Sequence, residues 1–148
     1  MHAGSHTELL FDAKMGDIFA ARVAGNFVND DIIGSVEFAC KKSGAKAVVV
    51  LGHSDCGAIK GAADGAKLGR LTKMLENFKP AIDASQHVFG DKYSSNPRYI
   101  QAIAENNAMM AAHRLMNRSD VLRELVIRKQ VVITAAMHDI KTGVVTFL

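Results

Sequence analysis

The 148-residue chain has only two cysteines, Cys40 and Cys56, too few for a disulfide framework. It has no apolar stretch of about 20 residues, so a membrane-spanning helix is not expected. No signal peptide is legible at its start, and the expected location is the cytoplasm. Lysine and arginine total 18 against 15 acidic residues, a formal net charge of +3, and they are spread along the sequence. Without a basic run, a nucleic-acid partner is not expected. Internal repeats, low-complexity tracts and linkers are absent as well, so residues 1–148 read as a single domain. What is present is apolar: 49% of residues are hydrophobic and 22% charged, the composition of a folded protein with a sizeable core. The seven methionines read as core filler.

Hydrophobic periodicity alternates between strand-like and helix-like stretches. Asp17 to Val23 reads as a strand that "AGN" (Ala24 to Asn26) ends. Asp30 or Asp31 then caps a helix to about Ser43, with Ile33, Val36, Glu37 and Cys40 at helical spacing. Gly44 stops it, and Ala45 to Leu51 forms the next strand. A Gly- and Ala-rich stretch from Ala58 to Gly69 reads as a short helix or close-packed loop, followed by helical spacing from Leu68 to Ile82. Residues 83–97 read as a polar connection. A long helix is expected from Pro97 to Asn117, and another from Ser119, its cap, to about Arg128. Gln130 to Ala136 is a strand, residues 138–143 a turn, and "VVTFL" a last strand closing an antiparallel hairpin. Strands alternating with helices predict an α/β fold around a mainly parallel β-sheet flanked by helices, with an antiparallel C-terminal strand.

In such sheets ligands gather at the carboxyl ends of strands. "VVVLGHSDCG" (Val48 to Gly57) puts His53 and Cys56 at that point. A thiolate and an imidazole are both good zinc ligands, although H-x-x-C alone fits an ordinary turn equally well. Cys40, on the apolar face of its helix, reads as a buried core residue. His87 and His113 read as solvated. His2, His6 and His138 are the remaining imidazoles that could approach the same end of the sheet.

Four stretches make the chain resemble the β-class carbonic anhydrases: Glu8 to Val28, the helix around "SVEFAC" from Ser35, "VVVLGHSDCGAIKGA" from Val48, and "DIKTGVVTFL" at the end. The "FD…GD.F..R.AGN" and "GH..CGA" series in that order carry most of it, and the likeness spans essentially the whole chain. The resemblance implies a zinc lyase interconverting carbon dioxide and bicarbonate. It makes His53 and Cys56 two of the metal ligands, and the zinc-bound water the attacking group. It also implies that Phe27 and Val28 line the pocket for carbon dioxide and that an amide near Gly57 meets bicarbonate. Gly25 and Asn26 would form a tight turn near the metal cleft, with Gly57 and Gly61 permitting close backbone approach.

The resemblance breaks at the start of the chain. Aligned on Glu8 and "LLFD", the family's C-x-D-S-R motif would place its arginine at Gly4, its serine at Ala3 and its aspartate at His2. Its cysteine, the first zinc ligand, would fall one residue before Met1. The strand before that motif lies, in the family, between the "DIFAARV" and "AVVVLG" strands, and is expected to be missing here. Three expectations follow: zinc bound weakly or not at all, slow or absent catalysis, and a homodimer or higher oligomer that covers the gap. The alternative is a non-catalytic member serving binding or assembly.

Overall fold

The structure is a computed structural model and describes residues 7–148. His2 and His6 lie outside the described residues. The elements run α1 (Thr7–Leu10), α2 (Asp30–Lys41), β1 (Ala47–His53), α3 (Gly57–Ala63), α4 (Gly69–Leu75), a 3-10 turn (Glu76–Phe78), α5 (Lys79–Ala84), α6 (Pro97–Arg118), α7 (Asp120–Ile127), β2 (Val132–His138) and β3 (Val145–Phe147). The sheet order is β1-β2-β3, with β1 and β2 parallel and β3 antiparallel to β2. This is the expected α/β architecture with its antiparallel last strand.

Local chemistry explains the long helices. The Asn29 side chain caps α2 by accepting from the Ile32 amide at 3.0 Å, so the cap lies one residue before the expected Asp30. Asn96 caps α6 through the Tyr99 amide, with Pro97 in the first turn, where a missing N–H costs nothing. Ser119 accepts from the Leu122 amide to start α7 and donates to Glu37 of α2 at 2.6 Å, joining the two helices. The helix expected from Leu68 to Ile82 is instead divided into α4, the 3-10 turn and α5.

Helix α6 lies across β1 and β2. Its face toward the sheet is small: Ala104, Ala108, Ala111 and Ala112 are all buried. Gly52 in β1 completes the fit, since a Cβ there would meet the Met137 sulfur at 2.6 Å and the Ala108 methyl at 3.5 Å. Ile103, Leu115, Leu122, Ile59, Phe78 and Tyr99 fill the rest of the core, each almost fully buried. At about 25 cal/mol per Å² of apolar surface, such side chains supply most of the favourable free energy of folding.

The segment expected as a first strand, Asp17 to Val23, is irregular in the structure. The physical reason is that no strand pairs with it among the described residues, and a strand is stable only when its backbone groups are paired. Along β1 the carbonyl of Lys46 accepts from Val132, and Ser54 donates to His138, both at 2.9 Å. Alternation in a parallel ladder then turns the backbone groups of Ala47, Val49 and Leu51 away from β2. They face a cavity of about 740 Å³ whose other wall is residues 17–28. The two segments therefore do not close on each other by direct pairing.

Candidate functional site at the carboxyl end of the sheet

Strand β1 ends at His53 in register with His138, the end of β2. The expected turn at His138 therefore begins one residue later, and His138 is a buried strand residue. Ser54 ties the two strand ends together: its amide donates to the His138 carbonyl at 2.9 Å, and its hydroxyl accepts from the Ile140 amide at 3.0 Å. Asp55 completes the turn in a left-handed conformation, φ +58°. Aspartate tolerates that region better than most residues. Cys56 follows as the residue preceding α3, and Gly57 is the first residue of the helix.

The imidazole of His53 is half-buried, and its Nδ1 lies 2.9 Å from the Ser54 carbonyl. A carbonyl only accepts, so Nδ1 carries the proton and Nε2 is the nitrogen that can act as a base or ligand. A side-chain hydrogen bond joins His53 to Cys56 and holds the imidazole pKa above its ordinary value, against the opposing effect of burial. Cys56 is 1% exposed. Burial alone would push its thiol up, but the hydrogen bond with His53 and the amides of Ile59 and Ala58 together bring it below the usual thiol range. The hydrogen bond therefore draws the thiol toward thiolate and holds a proton on the imidazole more firmly. Cys40 is the opposite case, a buried thiol on α2 whose pKa burial raises.

The "AGN" turn is fixed against this site. Gly25 has φ +79°, and a Cβ there would sit 2.3 Å from Cζ of Phe78 and 3.2 Å from the Ala58 methyl of α3. The Asn107 side chain, buried on α6, donates to the Gly25 carbonyl at 2.8 Å. Asn26 also has positive φ, +45°, and its Nδ2 is buried without a hydrogen-bond partner among the described residues. Phe27 packs edge-on to Phe78, and Val28 is buried. Gly61 is different from Gly25, because a Cβ there would meet Leu75 at an ordinary 3.7 Å and no close approach is required.

The structure thus brings His53, Cys56 and Gly57 to one strand end. It places His53, His138, Asn26, Phe27 and Val28 on the walls of one cavity. Cys40 stays in the core, while His87 and His113 are exposed and apart from it. Asn107 was not foreseen. Its signal was an amide four residues after Ile103 on the apolar stripe of α6, a polar group that burial obliges to find a partner. The ion pair of Lys60 with Asp55 was also missed; it draws the exposed Asp55 carboxyl below its ordinary range.

Zinc is the metal that an imidazole and a thiolate at a strand end suggest. The donors fit it in kind but not in number: among the described residues no group of three His, Cys, Asp or Glu side chains could hold a metal ion. Zinc sites use three or four protein ligands.

An α/β domain with a Cys–His pair at the carboxyl end of its first strand is the class of protein that this fold and site define. A family model described as carbonic anhydrase matches residues 5–145, and the chain belongs to the β-carbonic anhydrase family. A carbonic anhydrase of Mycolicibacterium smegmatis is 38% identical over 80 residues, which cover 51% of this chain and 39% of that protein. One from Pseudomonas aeruginosa is 30% identical over 124 residues, 80% of this chain and 56% of the relative. The matches thus span only about two-fifths to just over half the length of these relatives. A structure of tetrameric β-carbonic anhydrases from Sordaria macrospora superposes with a TM-score of 0.82 at 25% identity, covering 97% of this chain and 74% of that one. The Coccomyxa β-carbonic anhydrase in complex with acetazolamide shares the fold, with a TM-score of 0.84 at 21% identity, over 99% of this chain and 68% of its own.

Proposed function

We propose that this chain handles carbon dioxide and bicarbonate, the substrate pair of carbonic anhydrases, and that as written it interconverts them slowly or not at all. The observation that carries this reading is the His53–Cys56 pair at the carboxyl end of β1 in a chain of this family. In it, the apolar walls at Phe27 and Val28 receive carbon dioxide, and the Gly57 amide, in the first turn of α3, meets a bicarbonate oxygen. Two donors do not fix a catalytic metal, and an unfixed one cannot orient water against substrate. Stopped-flow pH-indicator assays on zinc-loaded protein test it. The expected rate is close to the buffer background; a rate far above it, abolished by His53→Ala and by Cys56→Ala, overturns the impairment.

The second reading is a non-catalytic member that binds or assembles. Among the described residues no strand pairs with the outer edge of β1, which favours it, because unpaired strand edges recruit partner chains. A second copy of this chain is the partner proposed, giving a homodimer or higher oligomer, and the cytoplasm is the proposed location. Among the described residues no helix is long and apolar enough to cross a membrane.

A further inference from the structure

Two neighbouring loops, one between α3 and α4 and one between α5 and α6, leave large apolar side chains in solvent. Phe89 is 97% exposed, Leu68 71% and Tyr93 62%. The loops are tied to each other, since the Ser94 amide donates to the Asp64 carboxylate at 2.8 Å. Phe89 sits at a turn held from behind. Gly90 takes φ +100°, and the Asn96 side chain donates to the carbonyls of Phe89 at 3.1 Å and Asp91 at 2.9 Å. Exposed apolar groups scattered singly are ordinary, whereas a group of them on joined loops marks a contact surface.

The charge around these side chains is cationic in excess. Residues 64–75 and 86–95 hold Lys67, Arg70, Lys73 and Lys92 against Asp64 and Asp91. Asp64 is already engaged by Ser94. Arg70 and Lys73 lie one turn apart on the outer side of α4, whose inner side is anchored by buried Leu75. Lys67, Arg70 and Lys73 are all exposed, and among the described residues none of them is in an ion pair. Lys60, Lys79, Arg118, Arg123 and Arg128, by contrast, each meet a carboxylate.

We propose that these two loops are a docking surface for a bilayer containing anionic phospholipid. Phe89 and Leu68 enter the boundary between headgroups and acyl chains, and Tyr93 stays at headgroup depth with its hydroxyl in water. Lys67, Arg70 and Lys73 meet the lipid phosphates, their stems lying along apolar surface. Protein partners favour a contiguous apolar centre inside a polar rim. Here apolar side chains project from loops with cations among them, the mixture that suits a lipid interface. The association is peripheral and reversible, each cation near an anionic surface strengthening it roughly fivefold.

The chain contains no tryptophan, so Phe89→Trp supplies a single reporter at the loop. The test sediments the full chain with vesicles of phosphatidylcholine, alone or mixed with phosphatidylserine, and records the emission of Phe89→Trp. Binding to the mixed vesicles only is expected, lost at high salt, with a blue shift as the indole leaves water. Phe89→Ser should weaken binding at least about tenfold. Lys67→Gln, Arg70→Gln and Lys73→Gln combined should weaken it about a hundredfold. Lys129→Gln, in the turn before β2, should leave it unchanged. These positions are all exposed, and an unchanged circular dichroism spectrum verifies that each variant folds. No sedimentation with mixed vesicles, equal binding to neutral ones, or full binding by the Phe89→Ser or triple variant overturns the docking surface. Binding without a blue shift overturns the insertion of Phe89. None of these readouts involves carbon dioxide hydration, so the proposed activity stands or falls separately.

Discussion

Gly25 and Phe78 approach so closely that any Cβ on Gly25 would lie 2.3 Å from Cζ of the ring. Phe78 has no room to retreat, since it is fully buried. With the Ala58 methyl of α3 at 3.2 Å from the same point, Phe78 holds the "AGN" turn beside the helix that follows Cys56. Gly25→Ala should combine overpacking with a positive-φ penalty and cost at least about 2 kcal/mol. Urea unfolding monitored by circular dichroism checks it; a loss below half that value would mean the turn relaxes freely.

Asn26 offers the opposite outcome one residue later. Its backbone is left-handed and its buried Nδ2 lacks an acceptor among the described residues. Asn26→Gly removes both penalties and should stabilise the chain by about 1 kcal/mol despite the greater freedom of glycine when unfolded. A thermal midpoint that falls would show that the amide is satisfied after all. Asn107→Ala, which strips the Gly25 carbonyl of its 2.8 Å donor, should instead cost about 1–3 kcal/mol.

The Cys–His pair leaves a signature in the pH dependence of stability of the metal-free chain. His53 has a raised pKa, so the native state binds more protons just above 6.5, and its contribution is lost as pH rises through the raised value. Cys56 has a lowered pKa, so the unfolded state binds more protons below 9.0. Its contribution is present above 9.0 and is lost as pH falls through the lowered value. Relative to Cys56→Ala, wild-type stability should therefore rise with pH as the thiol's ordinary value of 9.0 is approached. Denaturant midpoints measured across this window check the sign; a flat difference would mean that the two side chains do not interact.

Light scattering at micromolar concentration checks the assembly. Ala47, Val49 and Leu51 face a cavity with backbone groups that no strand pairs among the described residues, an arrangement that costs free energy unless it is covered. A mass well above the 15.9 kDa of one chain is expected. A well-behaved monomer would count against a second copy as the covering partner.

Much of this molecule was legible from local patterns. The α6 stripe, the Ser119 cap, the parallel pairing of the two apolar runs and the short C-terminal hairpin all follow from periodicity and capping residues, which act within a few residues of chain. His53 and Cys56 stood out as candidates at the end of a buried strand, but spacing alone left an ordinary turn with a small buried cysteine equally open, and Cys56 is indeed packed in the core. Tertiary structure decided the rest. Asp17 to Val23 has the composition of a strand, but pairing is a property of neighbours, and among the described residues a cavity lies between this segment and β1. The same holds for Gly25: its sequence announces a turn, while the reason for glycine is a phenylalanine 53 positions away. The thiol of Cys56 is drawn down because the turn at Ser54 and Asp55 brings the imidazole to it and α3 aims the amides of Ala58 and Ile59 at it. Composition and spacing supply the donors; whether there are enough of them around one point in space is a question only the fold can answer.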